Sequence, residues 1–367
     1  MKFTPINDVK PGKVLAKPIY GYEGRVLLQD NVVLKQSYID KIEALGYNGI
    51  YVKDPVTRDI KIKEVVPEEI KQASINIVKK SFQAIERHMS LSGEQIQDIK
   101  RSVNDLIREI MADRSLVVDM VDLKRFDDYT FHHSVNVTIL SIITGISMGL
   151  THGDLYRLGL GALLHDVGKT RVPKEILNKP GKLNDEEFEI IKKHTQEGYD
   201  LLKEKEDIPP TSSTIALFHH EKVNGTGYPH GKKGEETHLF SQIVSVADVY
   251  DALISDRPYR KGFTPSEAME YLLGCSGESF DREVVKHFFR KVAPYPTGTE
   301  VLLSDGRFAV VARNYEGLPF RPALRVFRDS HGREMEPYEI ELCDPQHLSI
   351  TFEPVDYKQK NDKLLQR

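Results

Sequence analysis

Cysteine is nearly missing from this chain: 367 residues carry two, Cys275 and Cys343, far apart. That excludes a disulfide framework and a cysteine-based zinc site, and it fits a reducing compartment. Long apolar runs are missing too. The longest, Val137 to Leu150, is too short and too rich in Ser, Thr and Gly to span a bilayer, which takes about 20 residues. The first residues, MKFTPINDVKPG, lack the apolar core of a secretion signal, so a cytoplasmic location is expected. A net charge of −4 argues against binding DNA or RNA polymers, which favour a strongly basic surface. Internal repeats and low-complexity tracts are absent. What remains is 40% hydrophobic and 29% charged residues, enough for a real core, in a length that suggests two or three domains.

Residues 1–62 carry short β-type runs, Arg25 to Leu28 and Gly49 to Val52, around a helix-like segment, Ser37 to Leu45. They predict a small α+β module. From Pro67 to Ala112 the pattern turns helical. Ile70, Ala73, Ile77, Phe82 and Ile85 form one stripe; Ile96, Ile99, Val103, Leu106 and Ile110 form a second, with steps of three and four. These helices serve either as a signalling linker or as padding for the body that follows. That body, to about residue 293, is helical, with start signals at Asn184 and Thr264. Beyond Pro296, Thr299 to Leu303, Phe308 to Arg313 and Ala323 to Phe327 predict strands of a small β-module with a polar tail. The expectation is a mainly α chain in three parts, 1–62, 63–296 and 297–367, the helical part flanked by the two small modules.

Seven residues of metal-ligand type stand at telling positions in the helical part: His133, His165, Asp166, His194, His219, His220 and Asp248. Imidazole and carboxylate together suit a first-row transition metal, and seven ligands are too many for one ion. Two ions sharing one carboxylate would use them all. Such a pair is the usual device for splitting a phosphodiester with a metal-held hydroxide. His165-Asp166 ends the apolar run Leu155 to Leu164, and Gly168 is expected to stop that helix. His194 is placed on the helix that starts at Asn184, four residues after Ile190. His219-His220 closes the helix Ser212 to Phe218. Asp248 and Asp251 interrupt an apolar helix, Ile243 to Ile254, where a bare carboxylate would be costly. Asp251 reads as a group that orients a ligand. Taken singly, each is ambiguous; taken together they favour a metal centre.

The chain resembles the HD-GYP family of HD phosphohydrolases. His165-Asp166-Val167-Gly168-Lys169 matches the HD motif, and His219-His220-Glu221-Lys222-Val223-Asn224-Gly225-Thr226-Gly227-Tyr228-Pro229 matches the HD-GYP signature. Tyr129 to Val137, Ala247 to Leu253 and Ser255 to Arg260 match further motifs, so the resemblance covers about residues 100–293. It implies a bundle of about seven helices, a centre of two or three metals, often iron or manganese, and hydrolysis of cyclic di-GMP to pGpG, in some members on to GMP. It also implies that His133, rather than His132, is the first ligand. Members with three metals carry a Glu four residues before that histidine. Tyr129 stands there in this chain, with Asp128 off the required face, so two divalent ions are expected. Iron or manganese is favoured; zinc, cobalt and nickel also suit the ligands.

The expected arrangement puts His133, His165 and Asp248 on one ion, His194, His219 and His220 on the other, and Asp166 between them. Lys169, Arg257 and Arg260 are expected to neutralise phosphate charge. Tyr228 is expected in the pocket wall, where it would contact substrate. Two alternatives stand beside the cyclic di-GMP phosphodiesterase. One is an HD hydrolase for another cyclic dinucleotide or a nucleotide. The other is a receptor without catalysis, which the complete ligand set disfavours. The terminal modules are candidate sites for a homodimer contact or a regulatory partner.

Overall fold

The computed structural model describes residues 1–21, 25–47, 49–60, 64–113, 117–118, 129–179, 181–255 and 262–355. Arg257, Arg260, Asp128 and the side chain of Tyr129 lie outside them. The chain divides into two compact units.

The first unit joins the two ends of the chain, residues 1–64 and 292–367, with residues 116–125. Strand β1 (Lys2–Pro5) pairs antiparallel with β4 (Gly49–Val52), and β2 (Ile19–Tyr20) with β3 (Val26–Leu28). Helix α1 (Gln36–Ala44) supplies Ile39 and Ile42 to a core with Leu15, Leu34 and Ile50. The C-terminal part is a five-stranded antiparallel sheet. Its strands are β5 (Glu300–Leu303), β6 (Phe308–Arg313), β7 (Ala323–Arg328), β8 (Glu334–Glu341) and β9 (Phe352–Pro354), in the order β8-β7-β6-β5-β9. Alternation along the strands sorts the side chains, as the two-residue repeat of a pleated sheet requires. Val301, Leu303, Val311, Leu324 and Val326 build one core. Val310, Ala312 and Phe327 form another, which Ile60 of the N-terminal segment joins. The Arg325 guanidinium grips the Asp59 carboxylate through both nitrogens. The two ends therefore share packing and charge pairs.

The second unit is helical. It contains α2 (Glu68–His88), α3 (Gly93–Ala112), α4 (Tyr129–Ser147), α5 (His152–Leu164), α6 (Lys174–Leu177), α7 (Asp185–Lys192), α8 (His194–Lys203), α9 (Pro210–Phe218), α10 (Leu239–Ile254), α11 (Pro265–Gly274) and α12 (Arg282–Lys291). The α3 stripe points inward as expected, with Ile96, Ile99, Val103, Leu106 and Ile110 buried. The α2 stripe is corrected: Phe82 and Ile85 are buried, but Ile70 and Ile77 are half-buried and Ala73 is exposed, and Ile75 and Val78 complete the buried face instead. Met89 ends α2 in the left-handed conformation, and Ser92 opens α3 with a capping box to Gln95. Capping boxes also stand at Asn184 and Thr264. Helix α4 is the centre of the unit and packs on α5, α10, α2 and α12. Among the described residues, no helix is long and apolar enough to cross a membrane.

Two further local expectations are corrected. The helix from Asn184 ends at Lys192, and His194 begins a new one. The Lys193 N–H turns back to Ile190 and Ile191, and the His194 ring takes the Ile191 carbonyl that the next helical turn would have used. Gly168 does not stop α5, which ends at Leu164; it lies within a 3-10 turn, Val167–Arg171. Its role is close approach. A Cβ there would overlap the His194 carbonyl and crowd the Gly198 nitrogen, so only glycine lets α8 come this near.

Candidate metal centre

Three of the histidines are positioned by one repeated device. His165 caps α5, His219 caps α9, and His194 follows the end of α7. Helix ends leave carbonyls without intrahelical partners. Each ring turns its Nδ1 to the carbonyl three residues back: His165 to Ala162 at 2.7 Å, His194 to Ile191 at 2.6 Å, and His219 to Ala216 at 3.0 Å. A carbonyl can only accept, so each Nδ1 carries the proton and each Nε2 presents a bare lone pair. The helix end fixes both the tautomer and the aim of the ring.

All three Nε2 atoms converge on Asp166, and its two oxygens divide them. Oδ1 faces His194 Nε2 at 3.5 Å and His219 Nε2 at 3.8 Å; Oδ2 faces His165 Nε2 at 3.4 Å and His133 Nε2 at 3.9 Å. Two groups of donor atoms share this carboxylate. One is Asp166 with His194, His219 and His220; the other is Asp166 with His133 and His165. Asp248 reaches both sides, with Oδ1 2.9 Å from His133 Nε2 and Oδ2 3.7 Å from His220 Nδ1. All seven ligand-type residues therefore meet at one place, on α4, the α5 end, α8, the α9 end and α10.

The electrostatics suit cations. Burial pushes the His194 pKa down to about 4 and that of His220 to about 3, so both rings are neutral and able to ligate near pH 7. Burial likewise holds His219 well below its usual value. Burial alone would raise Asp166, but Lys169 and the surrounding histidines outweigh it and hold the carboxyl ionised. Asp248 is lowered in the same way, chiefly by His133 against the effect of burial. Two buried atoms, His165 Nε2 and Asp166 Oδ1, have no hydrogen-bond partner among the described residues. Leaving such atoms unmatched is expensive unless something else binds them. A divalent transition metal fits the donor set.

Around the centre lie supporting groups, and Asp251 is placed as the sequence predicts, orienting a ligand-type ring. Asp251, fully buried, accepts from His133 Nδ1 at 2.7 Å and from Asn136 Nδ2 at 2.9 Å. Asn136 is one turn beyond His133 on α4, so one helix supplies both the ring and the clamp on its carboxylate partner. Glu221 is the clearest residue that sequence reasoning passed over. Its buried carboxylate accepts from the backbone of His230 at 2.8 Å and Lys232 at 2.9 Å, and this pins the glycine-rich loop. The only sequence signal was a charged residue directly after two ligand-type histidines. Gly227 lies so close to the His220 to Lys222 backbone that a Cβ would overlap it. That approach brings the Tyr228 ring onto His220, stacked at 4.7 Å and 28°. Lys169 donates to Asp166 Oδ2 at 2.6 Å.

This geometry defines a helical domain built around a buried histidine–aspartate centre able to hold divalent metal. Comparison agrees: residues 125–284 match the family model described as HD domain, and residues 300–356 match that described as KOW domain associated with HD domain. A cyclic di-GMP phosphodiesterase of Pseudomonas aeruginosa is 37% identical over 241 residues, 65% of this chain and 58% of its own. A 3'3'-cGAMP-specific phosphodiesterase of Vibrio cholerae is 36% identical over 169 residues, 45% of this chain and 38% of its own. The solved structure of Bd1817, described as a HDG"Y"P protein from Bdellovibrio bacteriovorus, covers 78% of this chain and 97% of that one. Its TM-score is 0.50 at 19% identity, a likeness of fold. The chain spans less than two thirds of the length of either curated relative. The HD motif, His165-Asp166, and the GYP loop, Gly227-Tyr228-Pro229, both lie inside the stretch that matches the HD domain.

Proposed function

We propose that the protein is a phosphodiesterase that uses two divalent metal ions to hydrolyse cyclic di-GMP to linear pGpG. The observation that carries this reading is the division of Asp166: each oxygen faces its own set of histidine Nε2 atoms, inside a buried site with unmatched donor atoms. His194, His219 and His220 would hold one ion, His133, His165 and Asp248 the other, with Asp166 between. A bound pair of divalent ions supplies phosphate charge neutralisation and a nucleophile at neutral pH. Iron or manganese is the favoured pair.

The protein's own groups set the stage. Asp251 keeps His133 Nε2 aimed inward by accepting at Nδ1. The three helix-end carbonyls do the same for His165, His194 and His219. Lys169 is paired with Asp166 and stands one turn from it, so its ammonium is placed to share its charge with a phosphate oxygen. Arg257 and Arg260 are proposed as further phosphate contacts. The Glu221-pinned loop walls the site and lays Tyr228 on His220. Two unpaired cysteines suit action in the cytoplasm.

The Vibrio cholerae relative named for 3'3'-cGAMP gives a second substrate reading, a mixed cyclic dinucleotide. Chromatography of products from cyclic di-GMP and 3'3'-cGAMP, each with manganese- and iron-loaded protein, decides between them. The proposal expects pGpG from cyclic di-GMP at the higher kcat/KM. A higher kcat/KM for 3'3'-cGAMP would reassign the substrate, and turnover of neither would remove the phosphodiesterase reading.

A further inference from the structure

At the rim of the centre, α7 carries an aromatic ring within its charged first half, Asp185 to Glu189. Phe188 is 43% exposed, between Glu187 and Glu189. A single exposed phenylalanine is ordinary on a protein surface. This one sits at the end of a connected set. Its ring meets Tyr228 edge to face at 6.1 Å and 80°, and Tyr228 in turn lies on His220. Lys192, one helical turn beyond Phe188, places its Nζ 4.8 Å from the Phe188 centroid and 5.6 Å from that of Tyr228. The same Nζ pairs with Glu189 at 2.6 Å, which steadies it beside the rings. Tyr228 is thus held between His220 and Phe188, while Phe188, though Lys192 lies over part of its ring, keeps exposed ring surface two side chains from a metal-ligand-type histidine.

The chemistry of that ledge matches a nucleobase. Bases stack on aromatic side chains whatever their sequence, and a lysine suits the O6 and N7 acceptors of guanine. A phosphodiester lying at the histidines carries its bases outward, toward the rim. We propose that Phe188 is a platform that stacks one purine base of the cyclic dinucleotide, with Lys192 at the base's acceptor edge. The assignment deepens the phosphodiesterase reading and rests on it. It shifts base recognition from Tyr228, which orders His220, to a residue outside the HD and GYP motifs.

The chain has no tryptophan, so Phe188→Trp introduces a single indole at the rim. The ligand is a hydrolysis-resistant phosphorothioate analogue of cyclic di-GMP, titrated against metal-loaded protein by fluorescence and by calorimetry. The expected result is saturable quenching of the indole, with Phe188→Trp binding within about twofold of wild type. Phe188→Leu, which keeps bulk without a stacking face, should bind about tenfold more weakly. Metal content, measured in parallel, should be equal in all three proteins; a merely structural role for Phe188 would lower it. The proposal is overturned if the analogue inhibits Phe188→Trp without changing its emission, if Phe188→Leu binds like wild type, or if Phe188→Leu loses metal. Wild-type protein that neither binds the analogue nor cleaves cyclic di-GMP would instead bring down the substrate reading, and the platform with it.

Discussion

The two units handle charge in opposite ways. In the helical unit, His133, His165, Asp166, His194, His219 and Asp251 are almost wholly buried, packed around one another rather than around water. In the terminal unit, Arg313 spans Glu339 and Glu341 on an exposed sheet face, and Arg307 and Asp305 pair at the other end of β6. Burying ionisable groups is costly, whereas exposed ladders form at little cost and add little. A fold keeps the first arrangement only where a ligand or a reaction needs it. The contrast locates function in the helical unit and reads the sheet's charges as a solvated surface.

The sharpest way to break that contrast is Asp166→Ala. It removes the carboxylate whose two oxygens divide the two histidine sets, and hydrolysis of cyclic di-GMP should disappear while bound metal falls to one ion or none. Retained turnover at wild-type metal content would dissolve the site. Next in size is Asn136→Ala, which frees Asp251 from one of its two partners without touching a ligand-type residue. Metal affinity should fall about tenfold to a hundredfold, as for other groups that orient ligands. Competition with a chelator of known affinity measures it. An unchanged affinity would make Asn136 ordinary packing.

Acid should separate the units as well. His194 and His220 are held down to about 4 and about 3, from 6.5. As pH falls below about 6.5 the unfolded chain takes up protons there and the folded chain does not, so metal-stripped protein should lose stability steadily down to about pH 4. Asp166 and Asp248, both depressed, extend the loss below the usual carboxylate range. Chemical denaturation at pH 7 and pH 5 checks the sign; equal stability would contradict it. The smallest effect belongs to the sheet. Arg313→Ala should cost under about 1 kcal/mol and leave metal binding and turnover alone. A larger loss would mean that the exposed ladder is structural after all.

Much of this was legible in the sequence, for identifiable reasons. A stripe with steps of three and four marked α3, a looser one marked α2, capping residues marked the starts of α7 and α11, and short alternating runs marked β5, β6 and β7. The seven ligand-type residues stood out because histidine and aspartate fall on or beside apolar helices, where neither is at ease alone. What escaped depends on tertiary contact. The break between α7 and α8 comes from the His194 ring capturing a carbonyl, which no propensity records. Gly168 looked like a helix stop, yet it serves an approach by a segment about thirty residues away in sequence. The joining of the two chain ends needed Ile60 and Asp59 to meet a sheet some 250 residues later, and no local pattern announces that. Glu221 stood in the matched motif without a role until its loop folded over it.

Metal titration of chelator-treated protein, with turnover of cyclic di-GMP followed at each addition, tests the central claim most directly. The account predicts no turnover without metal and activity that rises until two manganese or iron ions are bound per chain. Turnover that survives complete metal removal, or saturation at two ions with cyclic di-GMP left intact, would contradict it.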